Sequence, residues 1–303
     1  MKFGASVWPF HHNPPYDDGI KRIAGLGLKA VELIAWDRET LDSYYTPQTI
    51  AHLRMLMDDL GVELSEFVST PRGMAHPDAA LRNKAVEHFK RMVEVAQELG
   101  TDIVNGVAPY PFEISFPRIM QKHISQEWTV ELDPTLNWQQ NWEDFVGVVR
   151  RCCDICEANT VRFALESHPY RWMRNAASMS RLIDHVGSPA LGMNYDPSHL
   201  FPMGEMPQVV IYELGSRIFH NHFSDNDGTS NAHWRTGKGK IDWKSVLQAL
   251  QAVGYDGVIS IELEDVPGSG MSADSTPVLD RETALSRDYL VMLCGELGIA
   301  VEG

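Results

Sequence analysis

The stretch LGMNYDPSHLF, residues 191–201, joins a short, mostly apolar run to polar residues that can carry out chemistry. A short apolar run of this kind is typical of a strand buried in a sheet. Asp196 and His199 follow at the point where that strand is predicted to end. The carboxyl ends of parallel strands lie along one edge of a sheet, so the ends of the other strands decide what these two residues can do.

Short apolar runs alternate with longer amphipathic stretches along the whole chain, which predicts repeated β-α units and a parallel sheet. Helical candidates such as 46–61, 78–100 and 242–254 end in glycine, as capped helices do. Eight alternations favour an α/β fold with one (β/α)8 TIM barrel over residues 1–303. A doubly wound sheet would need a glycine-rich phosphate loop after its first strand, and SVWPFHHNPP is not one. The predicted strands are 2–8, 30–36, 63–69, 102–108, 162–168, 191–197, 218–224 and 257–263.

Two connections, residues 109–140 and 265–280, are longer than the others. Each follows the carboxyl end of a predicted strand, the barrel face on which active sites lie. We expect them to extend over that face as a lid or a substrate wall. An oligomer contact remains an equal alternative, because aromatic-rich loops also form interfaces.

The composition excludes several kinds of partner. A net charge of −15 over 303 residues disfavours nucleic acid and anionic membranes, which normally bind clustered lysine and arginine. The sequence has no run of about 18 apolar residues that could span a membrane and no recognisable signal sequence. We therefore expect a cytoplasmic protein with a small-molecule substrate, and leave open a homo-oligomer or a partner subunit.

Polar residues end the last four predicted strands, namely Glu166, Asp196, His222 and Glu262. Taken singly, such acids are more often solvated rim residues, and a histidine is more often a core residue. Together at one barrel mouth, three carboxylates would oppose one another's ionisation unless a cation joined them. Carboxylates with one imidazole suit Mn²⁺, Mg²⁺ or Co²⁺. We predict one divalent metal ion, with Mn²⁺ favoured.

These motifs resemble those of the xylose isomerase-like sugar isomerase and epimerase barrels. The resemblance covers essentially the whole chain and rests on ALESH (164–168), NYDPSHL (194–200), HNHFSDND (220–227) and ISIELED (259–265). It implies that the glutamate, aspartate, histidine and glutamate named above hold the metal. It also implies that His199, three residues after Asp196, contacts the sugar.

The resemblance further implies a mechanism. Glu166 and Glu262 would remove and return a proton beside a carbonyl, through a metal-stabilised enediolate. Return to the neighbouring carbon isomerises the sugar, and return to the opposite face epimerises it. Other predicted substrate contacts are His168, Arg235, and His123 and Trp128 of the long insert.

Two alternatives to an isomerase or epimerase remain. Ketose 3-epimerases carry an acid and an arginine where this chain has Trp172 and Gly228, which weakens that assignment. A lyase acting on a keto-sugar or 3-oxo-glycoside, similar to C-glycoside deglycosidases or dehydratases, would use the same metal site. A barrel that binds sugar without turnover is the third class, and paired acid and base groups argue against it. Endonuclease IV has a related barrel, but the acidic balance disfavours DNA.

Overall fold

The computed structural model describes residues 1–114, 130 and 132–302. Eight parallel strands follow one another in sequence order and close into a barrel, because β1 pairs with both β2 and β8. The predicted α/β barrel is therefore confirmed. The strands are β1 Lys2–Ser6, β2 Ala30–Ala35, β3 Glu63–Ser69, β4 Ile103–Val107, β5 Arg162–Glu166, β6 Leu191–Tyr195, β7 Ile218–Phe223 and β8 Val258–Ile261.

Helices surround the barrel and bury their apolar faces against it. The predicted helix 78–100 is observed as Ala79–Leu99, where the Asp78 side chain accepts a hydrogen bond from the Ala80 N–H and Gly100 adopts a left-handed conformation with φ of 103°. Within the described residues, no helix is both long and apolar enough to cross a membrane. The helices are α1 Asp17–Gly25, α2 Arg38–Ser43, α3 Pro47–Leu60, α4 Ala79–Leu99, α5 Trp138–Asn159, α6 Ala176–Val186, α7 Pro197–Leu200, α8 Pro207–Leu214, α9 Trp243–Ala252 and α10 Leu279–Leu297.

All strands except β3 end one or two residues earlier than the sequence predicts, and this places the polar residues. β6 ends at Tyr195, and Asp196 is the N-cap of the short helix α7. Its carboxylate accepts a hydrogen bond of 2.7 Å from the Ser198 N–H. Asp196 thus leaves the sheet and is fixed at the barrel mouth by its own backbone.

The two long connections begin at this same mouth. After β4, residues Pro111–Glu113 form a 3₁₀ turn, and α5 begins at Trp138. After β8, the Gly270 N–H donates to the Pro9 carbonyl at 2.7 Å, which joins the connection to the loop following β1. Most of the first connection, including His123 and Trp128, lies outside the described residues.

Candidate metal and sugar site

The four predicted metal ligands lie together at the carboxyl ends of the strands. Glu166 is the last residue of β5, His222 lies in β7, and Asp196 and Glu262 directly follow β6 and β8. Each is buried and can offer one ligand atom within 4.8 Å of the atoms offered by the other three. The sequence prediction that they converge agrees with this geometry, and their role as metal ligands remains a prediction.

His222 presents one ring nitrogen to this set and the other to a carboxylate deeper in the barrel. Its Nδ1 lies 2.8 Å from Glu166 Oε1 and 3.5 Å from Glu262 Oε2, and its Nε2 lies 2.9 Å from Glu32 Oε2. A neutral imidazole carries one N–H. If Nε2–H donates to Glu32, the Nδ1 lone pair faces the three acids, which is the orientation a metal-binding histidine needs.

The acids and the imidazole strongly perturb one another. Burial alone would lower the pKa of His222, yet the carboxylates of Glu262, Glu32 and Glu166 hold it well above its usual value. Burial raises the pKa of Glu262 well above its usual value, and the nearby acids add to this effect. Without a bound ion, the buried imidazolium is the positive charge that these carboxylates share. A divalent cation among the same atoms would supply more charge and would let His222 become neutral.

Trp8 fixes two acids that follow β8. Its indole Nε1–H donates to Glu262 Oε1 at 3.0 Å and to Glu264 Oε1 at 3.2 Å. Both carboxylates are buried beside the barrel mouth. The indole therefore orients Glu262, a predicted proton carrier, and holds a second carboxyl group next to it.

His168 and His199 form the wall next to Glu166. Their ring centroids are 3.5 Å apart, and His168 Nε2 lies 3.7 Å from Glu166 Oε2. Burial, aided by the neighbouring His199, lowers the pKa of His168 to about 3, so this ring is neutral near pH 7. His199 is held by Asn231, whose Oδ1 lies 2.8 Å from His199 Nδ1. Burial also lowers the pKa of His199. Both predicted sugar contacts therefore present uncharged rings near pH 7.

A cavity of about 560 Å³ opens above these residues. Its volume is in the range of pockets that hold small organic molecules. The lining combines hydrogen-bonding groups with aromatic rings, which suits the polar edges and apolar faces of a sugar ring. Lining residues include Glu166, Glu262, Glu264, His168, His199 and Tyr110.

Three predicted substrate contacts remain, namely Arg235, His123 and Trp128. Arg235 was predicted to reach the mouth, but its Nε lies 3.1 Å from Glu282 Oε2 in α10 and the residue does not line the cavity. A partner from the last helix holds the guanidinium in this structure, and the role of Arg235 in substrate binding stays a prediction. His123 and Trp128 lie outside the described residues.

Sequence reasoning missed several residues of the site. Glu32 and Glu66 are fully buried in β2 and β3, and His233 Nε2 lies 3.3 Å from Asp196 Oδ2. The sequence did offer a signal for Glu32 and Glu66, because each lies within a predicted apolar strand. A glutamate is almost never fully buried without a partner, so an acid in such a strand indicates a site. His233 lies in a connection whose course the sequence does not reveal, whereas Trp8 ends the predicted strand 2–8 and follows β1 in the structure.

Comparison with known proteins identifies the family. The sequence profile of the xylose isomerase-like TIM barrel matches residues 20–287. The chain belongs to this family. An uncharacterised protein of Methanocaldococcus jannaschii is 27% identical, over 88% of this chain and 85% of its own length. An inosose isomerase of Bacillus velezensis is 24% identical over 65% of this chain and 66% of its own. A D-psicose 3-epimerase of Ruminiclostridium cellulolyticum is 21% identical over 86% and 83%.

Two solved structures have the same fold. A D-tagatose 3-epimerase-like protein matches 98% of this chain and 98% of its own, with a TM-score of 0.74 and 22% identity. The 3-keto-D-glucoside 4-epimerase YcjR of E. coli matches 95% of this chain and 99% of its own, with a TM-score of 0.71 and 14% identity. At such identities the likeness shows the fold alone.

Proposed function

We propose that the protein is a divalent-metal-dependent isomerase or epimerase of a small sugar or glycoside. The observation that carries this proposal is the convergence of Glu166, Asp196, His222 and Glu262, whose ligand atoms lie within 4.8 Å of one another. Two of them, Glu166 and Glu262, line the cavity. The relatives named inosose isomerase and D-psicose 3-epimerase support the class of reaction.

The donor set fits a hard divalent ion. It offers three carboxylates and one imidazole nitrogen, and all four residues are buried. Oxygen-rich sets of this kind suit Mn²⁺, Mg²⁺ or Co²⁺. When bound, the ion would withdraw electrons from a sugar carbonyl and an adjacent hydroxyl and so make the neighbouring C–H more acidic.

Two carboxylates carry the proton transfer. Glu166 and Glu262 both line the cavity, so a sugar carbon above the site can lie within reach of either. One carboxylate removes the proton and the other returns it, which changes either the position of the carbonyl or the configuration of the carbon. The Trp8 N–H orients Glu262, and the rings of His168 and His199 hold the sugar hydroxyls beside the acids.

A lyase is the second candidate, and one observation favours it. Glu264 lines the cavity next to Glu262 and shares the Trp8 N–H with it. Proton exchange at one sugar position needs two carboxyl groups, so Glu264 is a third group. Elimination requires a proton donor for the departing oxygen, and a third carboxyl group could serve as that donor.

Deuterium exchange tests the proposal directly. We expect NMR of ketoses, inososes and 3-oxo-glucosides in D₂O with Mg²⁺ to show solvent deuterium at the carbon beside the carbonyl. Glu262→Gln should fold and lose this exchange, whereas Glu213→Gln, an exposed acid on α8, should retain it. A changed sugar indicates the isomerase or epimerase, and a new double bond indicates the lyase. Equal exchange in both variants would remove Glu262 from the mechanism.

Metal content is the second test. Protein purified with Mn²⁺ should retain the ion, and Asp196→Asn should lose it from this site. The same metal content at this site in both proteins would contradict the ligand set.

A further inference from the structure

A separate set of polar residues lies inside the barrel, below the proposed metal site. Glu32 of β2, Glu66 of β3 and His220 of β7 are at most 1% exposed. His220 precedes His222 by two residues in the same strand, so its side chain lies on the same face one step deeper in the barrel. We call these three residues the inner cluster.

One oxygen of each inner-cluster carboxylate already has partners. Glu32 Oε2 accepts from Ser6 Oγ at 3.0 Å and faces His222 Nε2 at 2.9 Å. Glu66 Oε1 accepts from Asn105 Nδ2 at 3.0 Å. These bonds fix both carboxylates, so the direction of their second oxygens is also fixed.

The second oxygens converge on His220 without hydrogen bonds. Glu32 Oε1, Glu66 Oε2 and His220 Nδ1 are buried and have no hydrogen-bond partner among the described residues. His220 Nδ1 lies 3.8 Å from Glu32 Oε1 and 3.7 Å from Glu66 Oε2. Both distances are too long for a hydrogen bond. They match the spacing of roughly 3–4 Å between ligands that each bind one ion at about 2.0–2.2 Å.

We propose that the inner cluster binds a second divalent cation. Two buried carboxylates need compensating positive charge, because an unpaired charge in the interior is very costly. His222 faces both carboxylates, at 2.9 Å from Glu32 and 3.5 Å from Glu66. Under the proposed function, on which this step rests, His222 binds the first metal as a neutral ring and cannot compensate them. A water molecule would satisfy the three atoms but would bring no charge.

The second ion would be a structural one. It lies among strands β2, β3 and β7, below the cavity, where a sugar does not reach. Glu32 connects it to the first site, because one carboxylate oxygen faces the inner cluster and the other faces His222 Nε2. A cation held by Glu32 would therefore also fix the ring that faces the catalytic metal.

Metal stoichiometry tests the proposal. The full-length protein is loaded with Mn²⁺, freed of unbound ion by gel filtration and analysed for manganese and protein. We expect about two ions per chain in the wild type, and about one in Glu66→Gln and in Asp196→Asn. Glu63→Gln, an exposed acid of the same strand β3, is the matched control and should keep both ions.

The outcomes separate this proposal from the proposed function. One ion in the wild type that Asp196→Asn loses and Glu66→Gln keeps overturns the second site and leaves the first intact. One ion that Glu66→Gln loses and Asp196→Asn keeps supports the second site and contradicts the first. If Glu66→Gln does not fold, anomalous diffraction from wild-type crystals grown with Mn²⁺ decides. A manganese peak bonded to His220 Nδ1 supports the second site, and a water or an unfilled space there overturns it.

Discussion

At the scale of single residues, Trp8 is the hydrogen-bond donor that we expect to orient the proposed catalytic acid Glu262. Its N–H donates to both Glu262 and Glu264. Trp8→Phe keeps an aromatic ring and removes the donor. Hydrogen bonds to charged groups contribute about 1.5–3 kcal/mol, so we expect the deuterium exchange rate to fall by roughly 10–100-fold. The manganese content should not change, because all four proposed ligands remain.

A matched variant makes this prediction specific. Trp142 donates its N–H to His185 Nδ1 at 3.0 Å, between helices α5 and α6 and away from the cavity. Trp142→Phe should therefore leave the exchange rate within about twofold of wild type. Equal rates in Trp8→Phe and Trp142→Phe would show that the indole N–H does not orient Glu262.

The sequence reveals residues whose position follows from a local pattern. It does not reveal contacts between residues that are far apart in the chain. Glu166 and Glu262 were predictable because Glu166 ends β5 and Glu262 directly follows β8, and strand ends meet in a barrel. Trp8 was not, because its bond to Glu262 depends on the pairing of the first and last strands. The ion pair of Arg235 was not predictable for the same reason, since its partner Glu282 lies in the last helix. Local patterns identify candidates, and only closure of the barrel selects their partners.

At the scale of elements, Gly192 of β6 is a point of close approach. A Cβ atom there would lie 2.4 Å from the Arg217 carbonyl oxygen and 2.6 Å from the Phe219 ring. The backbone carbonyl cannot move away cheaply, so we expect Gly192→Ala to lower the free energy of unfolding by about 1–3 kcal/mol. Gly147 of α5 has no atom within 4 Å of such a Cβ. Gly147→Ala should instead be neutral or stabilise by up to about 1 kcal/mol.

Urea unfolding of both variants measures these changes. The comparison matters because the two substitutions are chemically identical and differ in the space around the new methyl group. If Gly192→Ala were as stable as Gly147→Ala, Gly192 could not pack as closely against the Arg217 carbonyl and the Phe219 ring as the structure shows.

His88 makes the docking of α4 depend on pH. Ser69 Oγ donates to the Ala35 carbonyl, so it accepts from His88 Nε2–H at 2.8 Å. Burial, and then the charge of Arg38, lowers the pKa of His88 to about 4, while Asp37 and Asp42 oppose this shift. The unfolded chain binds the proton near pH 6.5 and the folded chain only near 4. The stability from the neutral ring is therefore complete above pH 6.5 and decreases as the pH falls towards 4.

The expected size of this effect is about 2 kcal/mol between pH 7 and pH 5. His88→Gln keeps a donor near the Nε2 position and cannot titrate. Urea unfolding at both pH values should show a smaller loss of stability in the variant than in the wild type, by about that amount. An identical loss in the two proteins would show that His88 does not contribute to the pH dependence.

The sequence predicted the strands better than it predicted which of their side chains point into the barrel. The alternation of apolar runs and amphipathic stretches identified all eight strands, because the barrel repeats one unit. The pattern did not predict that β2 and β3 carry buried glutamates, since an alternating strand pattern normally places acids on the outside. Asp196 was predicted to lie in the strand 191–197. In the structure it caps α7 and therefore lies outside β6.

At the scale of the whole molecule, the barrel concentrates negative charge in its interior. The chain has a net charge of −15, and five of its acids are buried within the two groups around His222. Folding brings these acids together from five different strand ends and interiors, so they oppose folding unless positive charge compensates them. The unfolded chain keeps them apart and solvated. A cation that binds only the folded barrel must therefore stabilise it.

We accordingly expect Mn²⁺ to raise the melting temperature. At a free ion concentration 100 times the dissociation constant, one site contributes about 2.7 kcal/mol, which corresponds to roughly 4 °C for a chain of this size. Differential scanning calorimetry with Mn²⁺ and with a chelator measures the shift, and K⁺ at equal ionic strength controls for general screening. Asp196→Asn should show a smaller shift than wild type, because it lacks one proposed ligand of the first ion. If Mn²⁺ and K⁺ had equal effects on the wild type, the buried acids would have to be compensated by protons alone, and neither proposed ion would contribute to the stability of the barrel.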